Sequence, residues 1–234
     1  MHASAMKNGD RFFKTYVQGM TSPQVVEIGA RNVNGSLRAI APSHVRYIGV
    51  DLAEAPGVDV VLADPYKLPF ADESIDVVLS SSCFEHSEFF WESFIEIQRV
   101  LKSDGLLYMN VPSNGDFHRY PVDCWRFYPD SGLALARWAR QKGYKTALLE
   151  SYVGWQDLDI WNDQVCVYVK DEAQAHRYPG RITSQFHQFS NGLSYPQLDR
   201  YLNPQTRSQD QRRAAWWHAG QRVLRATKRA LGRG

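Results

Sequence analysis

Five short apolar runs mark the first half of this chain and constrain its fold more than any other feature. They are QVVEIG (24–29), VRYIGVD (45–51), VDVVLAD (58–64), IDVVLS (75–80) and LLYMNV (106–111). Each is rich in Val, Ile or Leu and apolar on both faces. Such runs suit parallel strands covered on both sides, because a strand with one wet face would alternate apolar and polar residues. Helix-period segments lie between them. Phe90, Phe94, Ile97 and Leu101 are spaced by four, three and four residues, along one helix face. Residues 131–142 form a second predicted helix, stopped by Gly143. KTALLESYV (145–153) and QVCVYVK (164–170) supply two further strands. Strand alternating with helix predicts an α/β, doubly wound and mostly parallel sheet.

The 234 residues suffice for one sizeable core, and 44% hydrophobic with 22% charged residues is ordinary for a globular chain. Residues 1–13 have no apolar centre, so a secretory leader is not expected there. Cys83, Cys124 and Cys166 are far apart and form no CxxC pair. That pattern suits a reducing compartment and predicts a cytoplasmic protein. The expected division is a domain over 1–170, a loop-rich extension or linker over 171–210, and a basic amphipathic C-terminal helix over 211–234.

In an open parallel sheet, ligands bind beyond the carboxyl ends of the strands, where strand order reverses. Glu27 and Gly29 end the first run, and Gly29 permits close approach of a ligand to the backbone. Asp51 ends the second run, 24 residues after Glu27, near the spacing at which an acid receives ribose hydroxyls. Asp64 ends the third, where a carboxylate suits an adenine amino group. The loop after the first run lacks the GxGxxG spacing that cradles a pyrophosphate, and Glu27 would repel one. A ligand carrying an ammonium and a sulfonium suits Glu27 better, which favours S-adenosylmethionine over NAD.

Several spaced blocks, VVEIGA, IGVD, ADPYKLPFADESIDVVLSSSCFEH and EIQRVLKSDGLLYMNVP, occur in this order. With them, residues 24–112 resemble the class I S-adenosylmethionine-dependent methyltransferases of the small-molecule branch. Arg31 and Val33 in the glycine loop depart from the family pattern, as does Ser103-Asp104-Gly105 where Pro-Gly-Gly is usual. The resemblance implies a Rossmann-like, seven-stranded, mostly parallel sheet with an antiparallel last strand. It also implies S-adenosylmethionine as cofactor. Glu27 and Gly29 would border the methionine portion, and Asp51 with Leu52 would hold the ribose. Asp64 and Pro65 would hold the adenine, and Ser81 and Ser82 would line the floor. A turn or cap role is the competing reading for each Asp.

The segment HRYPVDCWRFYPD (118–130) follows the fifth run and so faces the cofactor's reactive end. Tyr120 and Trp125 offer flat faces to a sugar or aromatic acceptor, and Arg119 and Arg126 offer forks for carboxylate or phosphate. Methyl transfer to a hydroxyl profits from a positioned base. His118, His86 and Asp123 compete for that role. A metal is not expected, since no adjacent Asp pair is present. The run also resembles a subgroup of these enzymes from bacterial surface-polysaccharide assembly, which implies a glycan or nucleotide-sugar hydroxyl as acceptor. A natural-product acceptor and a non-catalytic assembly partner are the alternatives.

From Thr206 onward the chain has eight Lys/Arg and one Asp, so the rest of this +2 chain is net acidic. Trp217, Leu224 and Leu231 recur every seven residues, widened by Trp216, Val223 and Ala230, with Arg222, Arg225 and Arg229 opposite. A basic amphipathic helix fits peripheral contact with an anionic membrane surface. A solvated or domain-packed helix is the plainer reading. Nucleic acid is not expected as a partner, because no base-stacking platform is evident.

Overall fold

A computed structural model describes residues 2–157 and 159–230. The chain divides into two compact units, Met1–Asn203 and Pro204–Gly234. In the first, helix α1 (Ala3–Phe12) continues through a π turn over Phe13–Val17 into strand β1 (Gln24–Ile28). Strands β2 (Arg46–Asp51), β3 (Val60–Val61) and β4 (Ile75–Ser81) follow. Then come helix α2 (Phe90–Val100), strand β5 (Leu101–Pro112) and helix α3 (Ser131–Gln141). Strands β6 (Ala147–Gly154), β7 (Asp163–Val169), β8 (Phe189–Ser194) and β9 (Gln197–Leu202) complete the unit. The second unit contains helix α4 (Gln209–Ala230).

The strands form one sheet in the order β3-β2-β1-β4-β5-β7-β6-β8-β9. Pairings from β3 to β5 are parallel, and those from β5 onward are antiparallel. The chain runs from β1 outward to β2 and β3, then returns to place β4 on the other side of β1. Strand order therefore reverses between β1 and β4, which opens a crevice beyond their carboxyl ends.

Both faces of the sheet are covered, as the two-sided apolar runs require. Val26, Val78, Leu107 and Met109 face a core with Phe94 and Ile97 of α2 and Leu135 and Ala139 of α3. Their neighbours Val25, Val77, Leu106 and Tyr108 face the opposite core, with Phe12, Phe13, Tyr16 and Val17. Each fully buried large apolar side chain contributes about 1.5–3 kcal/mol. Gly143 ends the α3 region at φ 93°, the left-handed conformation that glycine adopts freely.

Three expectations need correction. The sheet has nine strands, not seven, because the 171–210 segment is not a linker: 189–202 form a hairpin that extends the sheet beyond β6. Phe189 and Leu193 point inward while β9 is a largely wet edge, so the hairpin shows no two-sided apolar run. The run 58–64 yields only the two-residue β3. Its Asp59 turns aside to accept from the Gly49 N–H and to pair with Arg38. The third correction is a helix missed altogether: α1 and its π turn.

Glu150 of β6 ties these unforeseen parts together. Its buried carboxylate accepts from Tyr16 Oη at 2.6 Å, Ile182 N at 2.7 Å, Thr183 N at 3.0 Å and Thr183 Oγ1 at 2.9 Å. A buried carboxylate is tolerable when hydrogen bonds surround it in this way.

In α4, Trp216, Trp217, Val223 and Leu224 are exposed. Leu231, predicted to continue their face, lies outside the described residues. No helix among the described residues is long and apolar enough to cross a membrane.

Candidate functional site

Gly29 leaves β1 at φ 76°, and a Cβ there would meet Cys83 Sγ at 2.7 Å. Glycine is thus required twice, for the backbone conformation and for the close approach of the β4 loop. Across the crevice, Ser82 also has positive φ, 52°, which bends the chain sharply after β4. The hydroxyls of Ser80 and Ser81 are buried; Ser80 meets the Cys83 thiol, and Ser81 Oγ lacks a hydrogen-bond partner among the described residues. An orphaned donor at a strand-order reversal is what a polar ligand would satisfy.

Glu27 is buried beside this bend, and Tyr47 Oη donates to its Oε2 at 2.7 Å. Burial pushes its carboxyl up to about 7, with the Tyr47 hydrogen bond and the Arg38 charge opposing that rise. Asp51, at the end of β2, accepts from Arg31 N at 3.1 Å and from Leu52 N at 2.7 Å. Leu52 itself is exposed, as is Val33 of the glycine loop. Asp64 accepts from Tyr66 N at 2.8 Å and so serves a turn. Asp64 and Pro65 are both exposed at this turn. Glu27, Gly29, Asp51, Leu52, Ser81 and Ser82 together fit a nucleoside with a cationic amino-acid tail: an acid at the ribose end, an exposed apolar edge, and a buried carboxylate needing a cation.

The acceptor segment is more rigid than its exposed position suggests. Arg126 grips both oxygens of Asp123, at 2.6 and 2.8 Å, and also donates to the carbonyls of Asp116 and Trp125. Asp123 also accepts from the His118 N–H at 2.7 Å. The Arg126 fork holds the Asp123 carboxyl down at about 2. These contacts correct two expectations. Asp123 is too acidic and too committed to serve as a base, and Arg126 clamps the loop rather than offering its fork to an acceptor. Trp125 is partly core, packed against Phe90, and donates to Ser87 O at 2.9 Å. Arg119 and Tyr120 remain exposed, with Arg31 of the glycine loop 5.4 Å over the Tyr120 ring.

The two imidazoles come together. The rings of His86 and His118 meet edge to face with centroids 4.9 Å apart. His86 Nδ1 lies 2.5 Å from Val122 O, and His118 Nδ1 lies 3.0 Å from Asp116 O. A carbonyl accepts only, so the His86 Nδ1 carries the proton and its Nε2 keeps a lone pair; at His118 the Asp116 carbonyl is nearer to Nδ1 than the donor Arg126 Nη2, 3.4 Å away, and favours the same tautomer. Burial lowers the His86 pKa, which favours its neutral form. Trp161 packs edge-on to His118, and His2 stacks on Trp161, so the start of α1 supports this cluster. Gly115 permits it: a Cβ there would overlap the Trp161 ring.

Sequence reasoning missed Glu85, which is 1% exposed beside His86. Burial pushes its carboxyl up to about 8. Its backbone carbonyl accepts from Cys124 N and Trp125 N, which fastens the acceptor segment to the end of β4. The only signal in the sequence was its place next to His86.

A family described as "Methyltransferase domain" matches residues 26–109, the span from β1 through most of β5. Phthiotriol/phenolphthiotriol dimycocerosates methyltransferase 1 of Mycobacterium ulcerans is 35% identical over 125 residues, 47% of this chain and 45% of that protein. The phthiotriol/phenolphthiotriol dimycocerosates methyltransferase of Mycobacterium tuberculosis is 32% identical over 116 residues, 43% and 42% of the two chains. The chain thus spans about half the length of the curated relatives it matches. Among solved structures, a Burkholderia thailandensis 1,6-didemethyltoxoflavin-N1-methyltransferase, with bound 1,6-didemethyltoxoflavin and S-adenosylhomocysteine, superposes with a TM-score of 0.56. It is 17% identical, over 72% of this chain and 79% of that one. The resemblance of residues 24–112 to class I S-adenosylmethionine-dependent methyltransferases is borne out at the level of domain and fold.

Proposed function

We infer that this chain, whose residues 26–109 carry a methyltransferase domain, transfers the methyl group of S-adenosylmethionine to a hydroxyl, with a saccharide as the acceptor class. The observation that carries the reading is the imidazole pair beyond β4. His86 and His118 hold their Nδ1 atoms against the Val122 and Asp116 carbonyls and meet edge to face, which leaves their Nε2 atoms available as bases. Transfer to oxygen is an in-line displacement at the sulfonium methyl, limited by alignment and by exclusion of water. One Nε2 takes the hydroxyl proton as the carbon–oxygen bond forms and S-adenosylhomocysteine leaves. The exposed Arg119 and Tyr120, with Arg31 over the Tyr120 ring and the half-buried His118 beside them, give the acceptor side the polar and aromatic rim that a sugar prefers. A lipid acceptor is the second reading, supported by the names of the mycobacterial relatives and by the exposed Trp216 and Trp217 of the basic α4, which suit an anionic membrane surface.

The test is transfer of labelled methyl from S-adenosylmethionine to a panel of saccharides, lipid-linked glycans and free lipids. His118→Ala should spare S-adenosylhomocysteine binding and lower turnover by roughly 10²–10⁴-fold. Normal turnover in that variant would remove His118 from the chemistry.

A further inference from the structure

One general base needs one imidazole. This site has two, and a carboxylate besides. We propose that Glu85, His86 and His118 form a binding site for a divalent transition-metal ion of the zinc class. Each offers one ligand atom, and the three atoms lie within 4.8 Å of one another. His86 Nε2 is 3.8 Å from Glu85 Oε1. Zinc ligands at about 2.1 Å from the metal stand roughly 3.4 Å apart, so the cluster needs to contract by up to about 1.4 Å. The backbone N–H of His118 is fixed on Asp123, so the closing movement falls to its half-buried imidazole.

Three independent features point to a cation. Both imidazoles donate Nδ1–H to backbone carbonyls, the outer contact that orients metal-bound histidines and leaves Nε2 for the metal. Glu85 Oε2 is buried with no hydrogen-bond partner among the described residues. The nearby cation, Arg126, is already committed to both oxygens of Asp123. A lone buried carboxylate is costly unless a positive charge meets it. Two imidazoles with one carboxylate are a donor set that favours zinc, cobalt or iron over magnesium or calcium. The expectation of no metal rested on the missing Asp pair, a criterion that does not bear on a His/His/Glu set. Three protein ligands leave a coordination position open. The ion's role there rests on the methyltransferase reading: it would lower the pKa of an acceptor hydroxyl, the assistance assigned above to a free imidazole.

The experiment is titration of chelator-stripped, full-length protein with Co(II), followed by visible absorption, and with Zn(II), followed by calorimetry. We expect one equivalent bound with micromolar or tighter affinity and a cobalt spectrum of four- or five-coordination. Affinity should fall at least 30-fold in His86→Ala and in His118→Ala, and at least 10-fold in Glu85→Gln. S-adenosylhomocysteine binding, measured on every variant, reports an intact fold. No cobalt binding by a protein that still binds S-adenosylhomocysteine would overturn the metal site and leave the methyltransferase reading standing. Cobalt binding that is unchanged in both His variants would place the ion elsewhere and overturn it too. Cobalt binding at these residues without S-adenosylhomocysteine binding would support the site and sink the methyltransferase reading.

Discussion

Glu27 is the residue whose environment states its need most clearly. A carboxyl pushed up to about 7 by burial is only partly ionised at neutral pH. A ligand ammonium beside it favours the ionised form. Binding below pH 7 must therefore expel a proton, and affinity falls as pH falls. Between pH 7.5 and pH 6 the affinity for S-adenosylhomocysteine should weaken by up to about eightfold, the change in ionised fraction for a pKa near 7. Glu27→Gln should bind more weakly at pH 7.5 and lose most of that dependence. Calorimetry at both pH values checks it, and an unchanged pH slope in the variant would remove Glu27 from the cofactor. Glu27, Gly29 and Asp51 were legible in the sequence because each ends or follows a strand at a fixed place in the fold. Glu85 was not, since its meaning depends on burial, which only the folded chain creates.

Among the elements, the acceptor segment depends on one ion pair. Arg126 and Asp123 are three residues apart, with the Asp side chain 2% exposed. Charged hydrogen bonds of this kind contribute about 1.5–3 kcal/mol. A lysine keeps the charge but loses the fork that spans both oxygens. Arg126→Lys should therefore lower turnover and speed proteolysis within 114–128, while changing the S-adenosylhomocysteine Kd less than about threefold. Limited proteolysis and calorimetry on the same preparation separate the two effects. Equal proteolysis of both proteins would mean that the clamp does not order the loop. The spacing of this pair was visible in the sequence, but its geometry was not. Asp123 could be read as a base until both its oxygens were seen to be occupied. The strands were legible for the opposite reason. β1 and β4 to β7 are largely covered on both faces, so apolar residues dominate both faces of their runs. The β8–β9 hairpin and α1 are each covered on one side only, and their patterns are diluted by solvent-facing residues such as Arg200 and Lys7.

For the whole molecule, the division at Asn203 and Pro204 separates a sheet-based unit from a basic helical one. The sheet unit contains every residue assigned to the cofactor and to the imidazole cluster. Removal of 204–234 should leave S-adenosylhomocysteine binding within about twofold. It should also abolish co-flotation with liposomes containing anionic lipid, which the full chain is expected to show at low salt. Juxtaposed Lys and Arg contribute about 1 kcal/mol each near such a surface, and salt weakens them. Equal flotation of both forms would end the membrane reading. The central claim is that the β1–β4 crevice holds S-adenosylmethionine. Its most direct measurement is calorimetric titration of the purified chain with S-adenosylhomocysteine, with NAD as control and Asp51→Ala alongside. Micromolar binding of S-adenosylhomocysteine, about −8 kcal/mol, is expected, with none of NAD, and at least tenfold weakening in Asp51→Ala. Absence of binding, or binding indifferent to Asp51, would contradict it.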